Sequence, residues 1–354
     1  MKFSKKNLEN NKIKKTVMKS KLSLFIIGLL LVPSLLLTSC DKGDDLNPEN
    51  PVAKPAFTLM KDHMLANNLD IGNILSGPDG AVKFVTGAPA EADLDAFLAK
   101  YSILDIRSAD AFNAGHIEGA KNVAFKDILT EAASASKQIL VVCYSGQTAC
   151  YATSLLRLYG YSNAQALKWG MSGWNPDTAG SWNGNTGDIA KESPNWSYSS
   201  EPSTSVYTDP DISSLSQDGS EILRQRVEAV VADGFKTAKN TDVLASPGDY
   251  FVNNYFVAAD YSGFGHIANA YRIKDNLKLD GDGYLELNPA ANAKVVNYCY
   301  TGQTSAVLTA WLRVLGYDAY SLTFGMNGLY HSNPAWTTNQ WGVGSSNPKS
   351  LPLK

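Results

Sequence analysis

Four cysteines and four histidines among 354 residues leave little material for a disulfide framework or a metal centre. His63 and His331 have no partner at ligand spacing, so no metal site is expected. Charge is scarce and balanced: 18% of residues are charged and the net charge is −3. Without a basic surplus, nucleic acid is a poor partner. Long apolar runs are also lacking. The stretch from Leu22 to Leu37 is broken by Pro33 and makes a poor permanent transmembrane helix. No arginine stands six residues after a cysteine where a C-x5-R phosphate grip needs one: Ala149 follows Cys143 at that spacing, and Ser305 follows Cys299. Phosphoryl transfer is therefore disfavoured.

What is present begins with a targeting segment. A lysine-rich stretch precedes the apolar run, which ends in Leu37-Thr38-Ser39-Cys40. This resembles a bacterial lipoprotein signal with its lipobox. The resemblance implies cleavage before Cys40, lipidation of its sulfur, and a place in the bacterial cell envelope, anchored outside the cytoplasm at the outer membrane or cell surface. Met18 opens a signal of more usual length. Losing residues 1–39 removes eight Lys and one Glu and leaves the rest near −10. Residues 40–56 are acidic and proline-bearing, and read as a flexible tether. With Cys40 lipidated, three cysteines remain, an odd number that argues for at least one free thiol.

The chain is long enough for two domains, and it repeats itself. "VVCYSGQTA" around Cys143 returns as "NYCYTGQTS" around Cys299, 156 residues later. Gly160 and Gly316 each follow their cysteine by 17 residues. "GHIEGA" at Gly115 answers "GHIANA" at Gly265, and "GMSG" at Gly170 answers "GMNG" at Gly325. Matched anchors in one order mean a duplicated unit. In the first copy "YSILDIR", "QILVVC" and "AQALKWG" read as buried strands, and "ACYATSLLRLYGY" as a helix ending at Gly160. Strands alternating with helices predict an α/β fold with a mostly parallel sheet. The boundaries expected are a signal over 1–39, a tether over 40–56, domain one over 57–176, a polar linker over 177–218, domain two over 219–342 and a tail over 343–354. Trp182 and Trp196 are expected to pin the linker to a surface.

A cysteine that ends a buried strand and faces a helix start sits among backbone N–H groups and the positive end of a helix dipole. Both favour thiolate. Gly146 and Gly302 let the backbone curl around the sulfur, and Ser145, Thr148, Thr301 and Thr304 are expected to add hydroxyl donors. The expectation is an anion-holding nest around a nucleophile, with Cys143 and Cys299 as the nucleophiles.

These residues resemble the rhodanese (thiosulfate sulfurtransferase) family. The likeness is carried by "LDIR" (Leu104 to Arg107), "GHIEGA", "VVCYSGQTA", "LLRLYGY" and "LKWGMSGW". It implies two three-layer α/β/α domains, each with a central, mostly parallel sheet. It implies persulfide-carrying roles for Cys143 and Cys299, with Tyr144, Ser145, Gly146, Gln147 and Thr148, and Tyr300, Thr301, Gly302, Gln303 and Thr304, as the active-site loops. The implied reaction moves a sulfane sulfur from thiosulfate, polysulfide or a thiol persulfide to a thiophilic acceptor, with no cofactor. Many members carry a basic residue in the loop, and neither loop here does, so a less charged donor fits as well as thiosulfate. Asp105 and Arg107 are expected to support the first loop. The second unit lacks a D-x-R and offers Asn253 or Asn254 instead, which ranks Cys143 above Cys299. The alternative is a non-catalytic rhodanese-like binding or scaffold lipoprotein. The sequence names no protein partner.

Other features read as structural. Cys150 is expected in the core, and His116 and His266 are expected to tie a turn to the sheet. Arg157 and Arg313 read as solvated or structural charges. "LDGDGYLELN" hints at a calcium loop through Asp280, Asp282 and Gly283. Lys278 and Pro289 then occupy ligand positions, so a hairpin turn is expected instead.

Overall fold

The computed structural model describes residues 54–77, 80 and 82–354. The signal segment, Cys40 and nearly all of the tether lie outside the described residues. In the first half, strands β1 (Val85–Thr86), β2 (Tyr101–Asp105), β3 (Lys121–Asn122), β4 (Gln138–Val142) and β5 (Gln165–Leu167) form one sheet in the order β1-β5-β4-β2-β3. Every pairing in it is parallel. A short strand β6 (Trp196–Ser197) follows. In the second half β7 (Thr237–Ala238), β8 (Phe251–Asn254), β10 (Val295–Tyr298) and β11 (Ala319–Leu322) form the sheet β7-β11-β10-β8, again wholly parallel. The intervening β9 (His266–Ile267) pairs antiparallel with β6.

Side-chain alternation explains the layers. Leu140 and Val142 of β4 face a cluster with Met171 and Trp174, whereas Ile139, Val141 and Cys143 face the opposite cluster, which holds the helix Gln147–Leu158. A strand covered on both faces is apolar at every position, as "ILVV" is. The second sheet repeats this: Val295 faces the helix Gln303–Leu315, and Val296 and Tyr298 face away from it. Both helices end as the sequence indicates, with Gly160 and Gly316 in the left-handed region after the last turn.

The two helices pack against each other, and the hydrophobic cluster beneath them runs unbroken from one domain to the other. Ser154 Oγ donates to the Val307 carbonyl across this seam at 3.3 Å. The domains also exchange their ends. Helix Ala56–Ala66 packs on Gly219–Asp233 of the second half. Residues 349–354 return to the first half, where the Lys354 and His116 backbones exchange hydrogen bonds of 3.0 and 3.1 Å. The 177–218 segment is anchored at both tryptophans. Trp182 is fully buried among Trp169, Phe324 and Trp341. Trp196 donates to the Phe264 carbonyl at 3.2 Å.

One expectation is corrected. "LDGDGYLELN" does not form a hairpin: it turns into the 3-10 helix Gly283–Glu286. The Leu279 and Asp280 amides donate to the Asp70 carboxylate, so a long-range cap replaces cross-strand pairing.

Candidate active site

Each nucleophile candidate stands at the end of a central strand. Cys143 follows β4 directly and Cys299 follows β10. Both are almost fully buried. The Gly146 and Ala149 amides donate to Cys143 Sγ at 3.1 and 3.2 Å. Gly146 holds φ at +86°, a conformation that turns its amide inward at little cost only for glycine. At Cys299 the sulfur accepts the Ser305 amide at 3.3 Å and donates its own proton to Ser305 Oγ at 3.8 Å. Ser305 Oγ is in turn 2.9 Å from Ser321 Oγ.

The hydroxyl that reaches a cysteine sulfur is therefore that of Ser305, not of Ser145, Thr148, Thr301 or Thr304. Ser145 Oγ accepts Gln147 Nε2 at 3.0 Å, and Thr301 Oγ1 accepts the Gln303 amide at 3.3 Å. Thr148 and Thr304 are half-buried beside the loops. At Cys143 the amides pull toward thiolate as expected, and burial outweighs them. Burial pushes its thiol upward, the amides of Ala149, Ser145 and Gly146 pull it down, and Asp105 pushes it up again; the balance is upward. Cys150 lies buried in the core as expected, and its thiol is pushed well up, by burial first.

Asp105 and Arg107 form a fully buried pair. Arg107 Nε and Nη2 donate to the carboxylate at 2.6–3.0 Å, and Nη2 also reaches the Gly115 carbonyl at 2.8 Å. The guanidinium lies 5.8 Å from the Tyr144 ring centre. Tyr144 is exposed, and its hydroxyl is 2.9 Å from Ser108 Oγ. In the second unit Asn254 is the counterpart of Asp105. Both accept the amide two residues on, and both pair across the sheet with the residue before the cysteine. Phe256 replaces Arg107 and stacks on Tyr300 at 4.4 Å. Tyr300 also bonds the Asp260 carboxylate, and its hydroxyl is raised by burial and by that contact. Asn253 instead bonds Asn297 Oδ1 at 2.9 Å beneath the helix.

Two features of the site were not read from the sequence. The loop glutamines cross between domains: Gln147 Oε1 accepts the Phe324 amide at 2.8 Å, and Gln303 Oε1 accepts the Trp169 amide at 3.3 Å. The repeated G-M-x-G turns clamp the loops. Met171 and Met326 amides donate to the Cys143 and Cys299 carbonyls at 2.8 and 3.0 Å. A Cβ on Gly170 would lie 2.6 Å from the Gly146 nitrogen, which is why this turn repeats its glycine. The remaining candidates are structural. His116 and His266 stack on Phe112 and Tyr261 and bond their carbonyls, a tie to the preceding helix rather than to the sheet. Arg157 is buried and bonds the Ile74 and Ala164 carbonyls at 2.7 and 2.9 Å.

Paired parallel α/β domains, each ending a central strand in a buried cysteine wrapped by loop and helix amides, define a tandem cysteine-centred architecture. The chain belongs to the rhodanese-like family. The rhodanese-like domain matches twice, over residues 90–177 and 257–332. Thiosulfate sulfurtransferase GlpE of Shewanella oneidensis is 33% identical over 79 residues, which is 22% of this chain and 78% of that protein. The Pseudomonas putida protein of the same name is 34% identical over 74 residues, 20% and 67% respectively. The crystal structure of thiosulfate sulfurtransferase from Pseudomonas aeruginosa matches at 16% identity, over 81% of this chain and 49% of that one, with a TM-score of 0.26.

Proposed function

We propose that the protein is a sulfurtransferase in which a cysteine persulfide carries one sulfane sulfur between small molecules. The observation that carries this reading is the pair of amides aimed at Cys143 Sγ, donors that stabilise negative charge on sulfur. A cysteine of the pair, Cys143 or Cys299, loses its proton to solvent, and the thiolate attacks the outer sulfur of thiosulfate, a polysulfide or a thiol persulfide. A new S–S bond forms, and the donor's S–S bond breaks with its electron pair leaving on sulfite or a thiolate. A thiophilic acceptor such as cyanide then takes the sulfur and restores the thiolate. The Gly146 and Ala149 amides stabilise sulfur anions in both half-reactions.

The test is intact-mass analysis after incubation with thiosulfate or polysulfide. The protein gains the mass of one sulfur or more, and the Cys143→Ser, Cys299→Ser double variant gains none; no gain from any sulfane donor ends the reading. A second reading, a non-catalytic binding or scaffold module, draws on the burial and upward shift of the Cys143 thiol. It predicts iodoacetamide reactivity below that of a free thiol and no persulfide. We also propose that Cys40 is lipidated and holds the protein at the cell envelope; a mature mass lacking residues 1–39 and carrying acyl chains tests this.

A further inference from the structure

A cavity of about 190 Å³ lies between the domains. One wall is the second loop, through Tyr300, Thr301, Gln303 and Thr304. The opposite wall comes from the first domain and includes Lys168, which follows β5, with Phe84, Val85 and Cys150; Cys299 itself is outside the lining and directly precedes the loop residues that form it. Lys168 is half-buried, and its Nζ donates to Asn339 Oδ1 at 2.9 Å. Among the described residues no carboxylate lies within ion-pair distance of it. Burial lowers the pKa of this ammonium, the mark of a cation held without its counter-ion.

Lys168 also borders a wider groove of about 550 Å³, whose other cations are Lys83 and Lys100. Among the described residues neither the cavity nor the groove has an acidic residue in its lining, although the whole chain carries net negative charge. A lysine-lined groove opening beside an enclosed cation concentrates small anions. Beside the first loop Arg107 lies near Tyr144, but its guanidinium is already paired with Asp105. Thr323 stands at the position equivalent to Lys168, next to the Phe324 amide that Gln147 holds.

We infer that the interdomain cavity is an anion site, and that Lys168 supplies from the first domain the cation missing from the Cys299 loop. Thr304 and Lys168 flank the anion there. The two cysteines then differ in donor class: Cys299 takes anionic donors of the thiosulfate type, and Cys143 takes uncharged or thiol-borne sulfane sulfur. This division rests on the persulfide reading above. At Cys299 the outer sulfur of thiosulfate passes to the thiolate, and sulfite leaves with the S–S electron pair toward the Lys168 ammonium. The thiol proton goes to solvent.

The experiment uses the full chain carrying Cys143→Ser, with the adduct on Cys299 measured by peptide mass mapping. Thiosulfate is the anionic donor and leaves a persulfide; bis(2-hydroxyethyl) trisulfide is the neutral one, whose central sulfur bonds to Cys299 as a mixed trisulfide while 2-hydroxyethanethiolate leaves. Adding Lys168→Met lowers the thiosulfate loading rate about tenfold or more, the loss of one charge-assisted contact. The trisulfide rate changes less than about twofold on the same scale, and Lys168→Arg restores thiosulfate loading. An unchanged ratio of the two rates overturns the inference. Calorimetric titration with sulfate, which transfers no sulfur, tests the site apart from the chemistry: the Cys143→Ser, Cys299→Ser protein binds sulfate and its Lys168→Met derivative does not. If neither donor loads Cys299, the transfer reading fails, and the sulfate titration alone decides the anion site. Absence of sulfate binding, or equal binding with Lys168→Met, overturns it.

Discussion

Burial holds the proton on Cys150, and the Cys143 and Cys299 sulfurs add to that hold. Its stability consequence has a definite sign. In the unfolded chain the thiol ionises near an ordinary pKa of about 8.5. In the fold it stays neutral to higher pH. Above that value the unfolded state has lost protons that the native state keeps, so stability falls as pH rises. The contribution is intact below the unfolded pKa and shrinks upward from there, by up to about 2 kcal/mol at pH 10. Ala306 occupies the equivalent position in the second unit, so Cys150→Ala is sterically tolerable. Under reducing conditions, melting temperature from pH 8 to 10 should fall less steeply in Cys150→Ala than in the parent. Parallel slopes would remove the assignment. Cys143, raised in the same direction, contributes the same sign to both proteins.

Among the elements, β2 and β8 solve one problem in two ways. Each must hold its cysteine loop from below, beside the last residue of the central strand. The first uses a buried ion pair, Asp105 with Arg107; the second uses the amide of Asn254 with the ring of Phe256. Removing one partner of a buried pair leaves the other charge uncompensated, at about 3–5 kcal/mol. Asp105→Asn alone should cost an amount of that order. Asp105→Asn with Arg107→Phe imports the neutral solution and should recover a large part of it. Urea denaturation of the two variants decides this: a double variant less stable than the single one refutes the equivalence. The D-x-R signal is legible in the first unit because it is local, and the same is true of strand, cysteine, glycine loop and helix. Asn254 is only half legible, because its role depends on a register with β10 that adjacent asparagines leave ambiguous. Gln147, Gln303 and Lys168 act on the other domain, and no spacing within one repeat encodes such contacts. Ser305 is visible in the sequence as a missing arginine, yet its contact with the sulfur needs the helix start in place.

The exchange of ends decides how the whole molecule unfolds. Helix Ala56–Ala66 closes the second half, and residues 349–354 close the first. The closing segment is well tied. Trp174 Nε1 donates to the Pro352 carbonyl at 3.0 Å, Asn175 Nδ2 to the Leu351 carbonyl at 2.7 Å, and Leu351 is buried against Tyr101, Ile103 and Trp174. A chain ending at Pro348 loses the buried leucine and leaves the Trp174 indole N–H without its acceptor. Leucine burial is worth about 2 kcal/mol and each stranded donor about 1–3 kcal/mol. The damage lies in the first domain, but the core cluster runs through both central helices. The loss should therefore appear as one transition shifted to lower temperature, with far-ultraviolet circular dichroism and tryptophan fluorescence superimposing. If the truncated protein instead melts in two steps, the later at the parent's temperature, the domains are energetically separate. The crossed glutamines would then be contacts without coupling, and each cysteine loop would stand on its own domain.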